Sequence, residues 1–463
     1  MLHSFGGNDG MWADLRTVSR EPLLALRNSQ PGSLQGFSIT PEGINQNWVA
    51  YELMLETPWR DEPLASADLA SWIDHYAVRR GHGVSNEAQQ HIASAWQSLA
   101  VSVYNLSCTP PGELPYNSAA CAAQREPGLG FHAVNRQPTG RYSVFYQPKM
   151  LVRAWDQLLL AATVAGDSAP STLLHDLIDV SREALAAVSD LFARDVQQSM
   201  ADPVHRPALR DALNRMDTLI SDMDTLMGTD GAFLLGTWVQ NATSWGHDDA
   251  EKSLYSFNAK YQITGWSFHY RGQLPSTGDY AAKMWHGLLG GYYRERWALY
   301  GQMAIAAAES GELVPNATAW ALAEDNLTDA WAHAQTAYAS SPSGDPVELS
   351  RLAHSKYSAL LLAPSPGPPT PPRNYTPPGY RRLQEGGYWK SGMSHGLGHS
   401  IATCAAECTA AKTGCVAFEL SATSVCYMFS SIAGAFIKNP GCQTFTKIQD
   451  SDQYQEAFET LKR

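Results

Sequence analysis

A proline-rich tract at residues 364–379 limits the fold of this 463-residue chain more than any other feature of the sequence. It reads PSPGPPTPP at 364–372 and continues with Pro377 and Pro378. Proline has no backbone N–H and a fixed φ, so the tract cannot lie inside a helix or a central strand. Such tracts adopt extended polyproline geometry and act as semi-rigid spacers. We therefore predict a linker at 364–379 that separates at least two folding units.

The region before the linker, 63–363, is predicted to be an all-helical domain. Apolar residues recur at three- and four-residue steps from Leu174 to Phe192 and again from Leu209 to Leu226, where Gly228 ends the run. We interpret these leucine and methionine stripes as core, and we expect no cofactor. Residues 105–148 are rich in proline, glycine and asparagine and are predicted to form a loop, in which we expect Cys108 and Cys121 to pair.

The first 62 residues show a different pattern. A strand is predicted at 36–40, Pro41-Glu42-Gly43 breaks it, and helical spacing follows with Ile44, Trp48, Val49 and Leu53 on one face. A strand, a turn with a carboxylate and a helix form the repeating unit of an α/β barrel, whose chemistry lies where the strands end. The pattern alone favours the alternative, a generic strand–helix junction with a solvated glutamate.

Charge and cysteine usage exclude some classes of protein. The net charge is −12 and lysine and arginine do not cluster, which argues against nucleic-acid binding. No apolar run approaches 18 residues, so we expect no membrane span. The histidines are scattered and the cysteines fit disulfides, so we predict no metal site. Five of the seven cysteines lie in the last sixty residues, a density typical of an oxidising compartment.

Glycosylation signals also indicate the secretory pathway, with a lysosomal, vacuolar or extracellular destination. Asn-x-Ser/Thr sequons occur at Asn105, Asn241, Asn316, Asn326 and Asn374. The sequence opens into Phe5-Gly6-Gly7-Asn8 without the charged and apolar regions of a signal peptide. A truncated N-terminus is our expectation here, in preference to residence in the cytosol.

Separated motifs carry a family resemblance that covers about residues 1–360. They are MLHSFGGN at 1–8, PEGINQN at 41–47, VYN at 103–105, FLLGTW at 233–238, YQITGW at 261–266, and a run that begins DYAAK at 279–283 and ends RW at 296–297. In order and spacing these motifs resemble the α-N-acetylglucosaminidases of glycoside hydrolase family 89. The resemblance implies the C-terminal end of a catalytic (β/α)8 barrel at 1–62, followed by the all-helical C-terminal domain at 63–363.

The resemblance also implies an activity, the retaining hydrolysis of terminal α-linked N-acetylglucosamine by two glutamates. The glutamate of the Pro-Glu-Gly motif is the family's nucleophile, which is Glu42 here. The acid/base glutamate belongs to an earlier barrel strand, so we expect this chain to have no counterpart to it and to be inactive by itself. His3, Trp266 and Tyr280 resemble family positions near the sugar and are our candidate substrate-binding residues. The alternative is that Trp266 and Tyr280 only pack the helical domain onto the barrel.

Three further expectations concern residues around these motifs. Arg296 is interpreted as a structural ion-pair partner, not a substrate ligand. Asn45 and Asn47 are expected to cap the helix after the catalytic turn. Residues 268–271 (FHYR) depart from the family pattern, which affects what lies beyond the first sugar.

The cysteine-rich end, 380–450, resembles a PAN/apple module, a small disulfide-rich α+β fold in which a short helix crosses a sheet. The spacing of its cysteines carries the resemblance. By that resemblance we expect Cys404 to pair with Cys426 and Cys408 with Cys415, which leaves Cys442 without an assigned partner. Such modules bind proteins or carbohydrates, and the alternative is an inert appended domain. Residues 451–463 are predicted to be a polar tail.

Two functions remain open at this point. The first is an exo-acting glycosidase whose partner is a glycan with terminal α-linked N-acetylglucosamine. The second is a non-catalytic glycan-binding protein that kept the pocket and gained the module. A helical interaction scaffold leaves the motif around Glu42 unexplained.

Overall fold

A computed structural model describes most of the chain before the linker and the strands after it. The described residues are 2–3, 10–28, 33–40, 47–105, 132–136, 138–140, 142, 144, 146–201, 206–266, 279, 281–363, 380–383, 387–389, 393–394, 417–420, 426–429, 436–438 and 443–447. For residues 2–3, 40, 201 and the strands after 379, only the backbone is described. The chain divides into two compact units, one of Met1–Met200 with Pro207–Ala363 and one of Ala201–Arg206 with Pro364–Arg463.

The first unit begins with two short parallel strands. Strand β1 (Leu2–His3) pairs with β2 (Ile39–Thr40), and helix α1 (Leu15–Asn28) lies between them in the chain. Parallel strands need such a crossover connection because the end of one strand and the start of the next lie at opposite edges of the sheet. This strand–helix–strand order agrees with the barrel predicted for residues 1–62.

Helices make up the rest of the first unit. They are α2 (Trp48–Glu56), α3 (Ser66–Arg80), α4 (Asn86–Ala100), α5 (Pro148–Ala165), α6 (Ser171–Ala201), α7 (Leu209–Met227), α8 (Leu235–Thr243), α9 (Asp249–Gln262), α10 (Arg294–Glu309), α11 (Ala317–His333) and α12 (Pro346–Leu362). A π-helical turn, Leu289–Tyr293, leads directly into α10. Short 3-10 turns lie at Thr57–Trp59, Gly166–Ser168, Arg206–Ala208 and Gly231–Phe233.

The two predicted apolar stripes form the centre of this helical core. Leu177, Leu185 and Val188 of α6 are fully buried, as are Leu219 and Met223 of α7. Helix α7 ends at Met227, and Gly228 is its C-cap residue, as predicted. Both helices are therefore held by burial of one apolar face, which is the main source of helix stability in proteins. The periodicity predicted these elements and their role correctly.

The predicted helix after Glu42 is present, but its buried face differs from the prediction. Val49 and Leu53 of α2 are fully buried, whereas Trp48 is 48% exposed. Trp48 is the first residue of the helix and does not belong to its buried residues. Ile44 lies outside the described residues. No described helix is long and apolar enough to cross a membrane.

Two antiparallel sheets are described in the second unit. Their strands are β3 (Tyr380–Leu383), β4 (Gly387–Trp389), β5 (Met393–Ser394), β6 (Ala417–Leu420), β7 (Cys426–Phe429), β8 (Phe436–Lys438) and β9 (Gln443–Lys447). Five of them form one sheet in the order β3-β9-β6-β7-β5, and β4 pairs with β8. Cys426 begins β7.

Several predictions for the ends and loops fall on residues outside this description. They concern the linker at 364–379, the tail at 451–463, Cys108, Cys121, Cys404, Cys408, Cys415, Cys442 and Asn374. The side chain of Cys426 is also outside the description, so the expected disulfide pairings remain predictions, as does the PAN/apple resemblance.

Candidate active site

Strand β1 ends at one candidate residue, His3, and strand β2 ends two positions before another in the sequence, Glu42. His3 of β1 is the register partner of Thr40, the last residue of β2. Glu42 follows two positions later in the sequence and lies outside the described residues, as does the His3 side chain. The carboxyl ends of neighbouring parallel strands meet at one edge of a sheet, which is where barrel enzymes place their chemistry.

The segment that follows β1, residues 10–12, is anchored by buried side chains from elsewhere in the unit. The backbone N–H of Met11 donates to Glu183 Oε2 at 2.8 Å. Trp12 N donates to Asn47 Oδ1 at 3.1 Å, and Asn47 Nδ2 donates to Gly10 O at 3.1 Å. Glu183 belongs to α6 and Asn47 precedes α2, so this short segment is held from two directions.

Asn47 occupies the N-cap position of α2, as predicted, but its side chain does not cap the helix. Its side-chain amide instead forms hydrogen bonds with Gly10 and Trp12. Its backbone is left-handed, with φ 54° and ψ 35°. An N-cap residue ordinarily has an extended backbone, from which its side chain reaches the helix N–H groups. The capping prediction is therefore wrong for Asn47, and Asn45 lies outside the described residues.

Glu183 is the centre of a buried ionic group that we call the His132 cluster, comprising His132, Tyr146, Glu183 and Asp190. Glu183 Oε1 accepts from Tyr146 Oη at 2.8 Å and lies 3.2 Å from His132 Nε2. His132 Nδ1 lies 2.9 Å from Asp190 Oδ2, and Asp190 Oδ1 accepts from Ala133 N at 2.8 Å. The imidazole thus lies between two carboxylates with both ring nitrogens engaged.

These contacts shift the pKa values of the His132 cluster. Burial by itself would lower the pKa of His132, but Asp190 and Glu183 raise it to about 10. Burial would raise the pKa of Glu183, yet His132 and Arg182 hold it below its ordinary value. Burial prevails at Asp190 and raises its pKa, although His132 opposes this.

The described side chains include no group arranged to hold a metal ion.

Trp266 and Tyr280 lie on either side of residues 267–279 in the sequence, and a backbone hydrogen bond joins Thr264 to Asp279. Asp279 N donates to Thr264 O at 3.0 Å, and Trp266 N donates to Tyr261 O at 2.9 Å. Trp266 is 42% exposed. Tyr280 lies outside the described residues, as do residues 268–271.

Asp279, the residue before Tyr280, belongs to a second buried group, the Arg296 cluster of Arg136, Asp279, Arg296 and Glu324. Arg296 Nη1 lies 2.8 Å from both carboxylate oxygens of Asp279 and 3.4 Å from Glu324 Oε1. Arg296 is fully buried, and burial, which would lower its pKa, is outweighed by Asp279, so the pKa is raised. The prediction that Arg296 is a structural ion-pair partner is confirmed.

The Arg296 cluster also fixes an unusual backbone. Asp279 has a φ of 57°, in the left-handed region that residues with a side chain rarely adopt. Its backbone oxygen accepts from Arg136 Nη1, and its carboxylate is held by Arg296. Strained backbone persists only where the surrounding contacts over-determine it. The position immediately before Tyr280 is therefore rigidly defined.

Residues 132–136 connect the two clusters. His132 contacts Glu183 and Asp190 at one end, and the backbone oxygen of Arg136 accepts from Arg296 Nη2 at 2.7 Å at the other. Four residues of chain span at most about 14 Å. Met11, which comes after His3 in the sequence, and Asp279, which precedes Tyr280, are thus tied to opposite ends of one short buried connection.

A cleft of about 1030 Å³ lies beside β2 and α2. Ile39 and Trp48 line it together with Tyr51, and polar groups are supplied by Arg80 and His175. Aromatic walls with a few polar groups are typical of small-molecule sites. The described residues that line this cleft do not include any of the candidate catalytic and substrate-binding residues, which are Glu42, His3, Trp266 and Tyr280.

The acidic and basic residues of α6 were not among the predicted functional or structural residues. Asp179, Arg182, Glu183 and Asp190 lie within a helix whose apolar residues were interpreted as core, yet all four are buried with them. Charged residues are rarely buried unless they are paired. Their three-, four- and seven-residue spacing within an apolar stripe was a usable signal of a buried polar network.

Comparison with known families assigns almost all of the first unit. The C-terminal domain of the alpha-N-acetylglucosaminidase (NAGLU) family matches residues 72–356, and the tim-barrel domain of the same family matches residues 1–61.

Individual relatives agree with this result. The alpha-N-acetylglucosaminidase of Homo sapiens is 30% identical over 364 residues, which is 78% of this chain and 45% of that protein. The chain thus spans less than half the length of this curated relative. CpGH89 from Clostridium perfringens, solved in complex with its substrate GlcNAc-alpha-1,4-galactose, is similar with a TM-score of 0.62 and 24% identity. That match covers 78% of this chain and 39% of the Clostridium protein. A second structure from the same organism, a family 89 glycoside hydrolase with 2-acetamido-1,2-dideoxynojirmycin, has a TM-score of 0.60, 24% identity and the same coverage.

Proposed function

This chain belongs to the alpha-N-acetylglucosaminidase family, and from that premise we propose that it carries the nucleophile side of a glycoside hydrolase active site. The proposed reaction is the retaining hydrolysis of terminal α-linked N-acetylglucosamine from glycans. One observation carries the proposal. Strand β2 pairs in parallel with β1, lies in the part that matches the tim-barrel domain, and ends two residues before Glu42.

In the proposed mechanism Glu42 attacks the anomeric carbon as the bond to the leaving oxygen breaks. A glycosyl-enzyme ester forms, and a second carboxyl group about 5 Å away protonates the leaving oxygen. That group, now a carboxylate, removes a proton from water, and the water attacks the anomeric carbon and releases Glu42. Two inversions give retention. The family resemblance assigns the acid/base role to an earlier barrel strand, and we propose no residue of this chain for it.

His3, Trp266 and Tyr280 are proposed to contact the sugar. The exposure of Trp266 and the rigid backbone before Tyr280 support this role, since an indole face packs well on the apolar face of a pyranose ring. The pairing of His3 with Thr40 supports a position for His3 close to the Glu42 turn.

The test of this proposal is Glu42→Gln in the full-length protein, assayed on an aryl α-N-acetylglucosaminide. Loss of a covalent nucleophile should lower kcat by about 10³-fold or more, because no other group can take its role. The matched control is Glu21→Gln, which changes an exposed glutamate on α1 and should leave kcat unchanged. Glu42→Ala with added azide should yield the β-glycosyl azide by NMR, because azide enters from the vacated face. Glu42→Gln activity within tenfold of wild type would refute the assignment.

We also propose that the protein passes through the secretory pathway. Asn241, Asn316 and Asn326 are exposed and open to glycosylation, whereas Asn105 is partly buried beside Asp14. Treatment of protein from a eukaryotic secretory host with peptide N-glycosidase should lower its apparent mass. Mass spectrometry should find glycans at the three exposed sites, and an unmodified peptide at all of them would contradict the proposal.

A further inference from the structure

We propose that Asn47 is a positioning residue for the nucleophile Glu42, which lies five positions earlier in the sequence. This inference rests on the proposed role of Glu42. Asn47 acts through the backbone and not by touching the substrate. It fixes the start of α2 against residues 10–12, which come after β1 in the sequence.

The contacts of Asn47 are those of a clamp between two distant parts of the sequence. Asn47 is 1% exposed. Its side chain donates to Gly10 O and accepts from Trp12 N, each at 3.1 Å. Its backbone oxygen accepts from Ala50 N at 2.9 Å, within the first turn of α2. One residue therefore starts the helix and holds a segment that lies 35 to 37 positions earlier.

The conformation of Asn47 indicates that the clamp has a cost. The left-handed backbone is unfavourable for residues with a side chain, although asparagine tolerates it better than most. The side chain also forgoes the capping bond that this position normally makes. A residue that gives up a cap and adopts a strained backbone marks a position whose geometry is fixed by its surroundings.

The other side of the clamp is firmly held. Met11 N donates to the fully buried Glu183, and Ala13 N donates to Val103 O at 3.1 Å. Asn47 is thus fastened to a segment that the helical core already fixes. Glu183 in turn belongs to the His132 cluster, so the start of α2 is linked to the helical core through consecutive buried hydrogen bonds.

The described residues on either side of positions 41–46 are both held. Thr40 is paired with His3, and Asn47 is bonded to Gly10 and Trp12. The same two stretches of chain are therefore joined twice, once by strand pairing and once by the Asn47 amide. A nucleophile must lie within a fraction of an ångström of its productive position, and a displacement of 1 Å can cost about 100-fold in rate.

Two substitutions in the full-length protein separate the clamp from the backbone conformation. Asn47→Gly favours the left-handed backbone and removes both side-chain bonds. Asn47→Asp keeps the acceptor for Trp12 N and loses the donor to Gly10 O. We expect kcat on an aryl α-N-acetylglucosaminide to fall about 10- to 100-fold in Asn47→Gly and by less in Asn47→Asp. KM should stay within about threefold, because the sugar contacts remain. Asn28→Gly, at the exposed end of α1, is the control and should leave kcat unchanged.

The deciding readout is kcat per competent site, counted by titration with a mechanism-based inactivator that forms the glycosyl-enzyme. A positioning role lowers kcat per titrated site, and the loss should be greater for poor aryl leaving groups than for good ones. A purely structural role lowers the number of titrated sites and leaves kcat per site unchanged, which overturns the inference. If Asn47→Gly does not fold, Asn47→Asp decides by the same measurement. If Glu42→Gln keeps its activity, the proposed function itself is wrong. If Glu42→Gln is inactive and both Asn47 variants keep the wild-type kcat per site, only the inference about Asn47 is wrong.

Discussion

The His132 cluster and the Arg296 cluster each hold a backbone segment through buried ion pairs, but with different cations. Each contains buried carboxylates and holds the backbone of a segment that comes after or before a candidate site residue in the sequence. In the first, Glu183 holds Met11, which follows β1. In the second, Arg296 holds Asp279, which precedes Tyr280. The cation is a histidine between two carboxylates in one case and a fully buried guanidinium in the other.

The difference decides how each segment responds to pH and to mutation. A guanidinium stays charged at any pH that a protein tolerates and can bond two partners at once, as Arg296 does with Asp279 and the Arg136 oxygen. An imidazolium can lose its proton, and the raised pKa of Asp190 lets that carboxyl take one up. The Arg296 cluster is therefore a fixed connection, whereas the His132 cluster can adjust its charge.

Removal of the fixed cation should give the largest effect. Arg296→Met leaves Asp279 and Glu324 buried without their cation, so we expect a loss of about 3–5 kcal/mol in the free energy of unfolding. His132→Gln at pH 7 should cost less, because Asp190 can become neutral. Thermal denaturation of both variants in one buffer gives the comparison.

Arg296→Lys is the matched control for this experiment. It keeps the charge but cannot bond both Asp279 oxygens and the Arg136 carbonyl, so its Tm should lie between those of wild type and Arg296→Met. If His132→Gln lowers the Tm as much as Arg296→Met does, the contrast between the clusters is wrong.

The smaller expected effect is a dependence of thermal stability on pH, to which the His132 cluster contributes and the Arg296 cluster does not. The folded-state pKa of His132 is raised to about 10 from an ordinary value of 6.5. The stability that its proton provides is thus fully present below about pH 6.5 and is lost as pH rises toward 10. Wild-type Tm should fall across this window, and the fall should be shallower in His132→Gln.

The Arg296→Lys variant tests specificity, since its Tm should follow the wild-type slope across the same window. His175, whose pKa is also raised beside Asp230, contributes in the same direction, so only the difference between wild type and His132→Gln reports on the cluster. Parallel profiles for wild type and His132→Gln would mean that His132 is not the titrating group.

Much of the helical core was predictable because its information is local. The stripes of α6 and α7, and the stop at Gly228, follow from residues three and four positions apart. The family followed from motifs whose order and spacing are linear properties of the chain. The ion-pair role of Arg296 was predicted correctly, although its partners Asp279 and Glu324 were not named.

The sequence by itself determined the apolar stripes of α6 and α7, the end of strand β2 at Thr40, and membership in the family. The strand predicted at 36–40 is shorter in the structure, Ile39–Thr40. The sequence could not determine what the Asn47 side chain binds, because local propensity predicts that an asparagine before a helix caps that helix. Only the tertiary structure places Gly10 and Trp12 against it, 35 and more positions away. The same is true of His132 and Glu183, which meet across 51 positions. Hydrogen bonds between such distant residues form because burial leaves a polar group no solvent partner, and which groups meet is decided by the packing of the core, not by their neighbours in the chain.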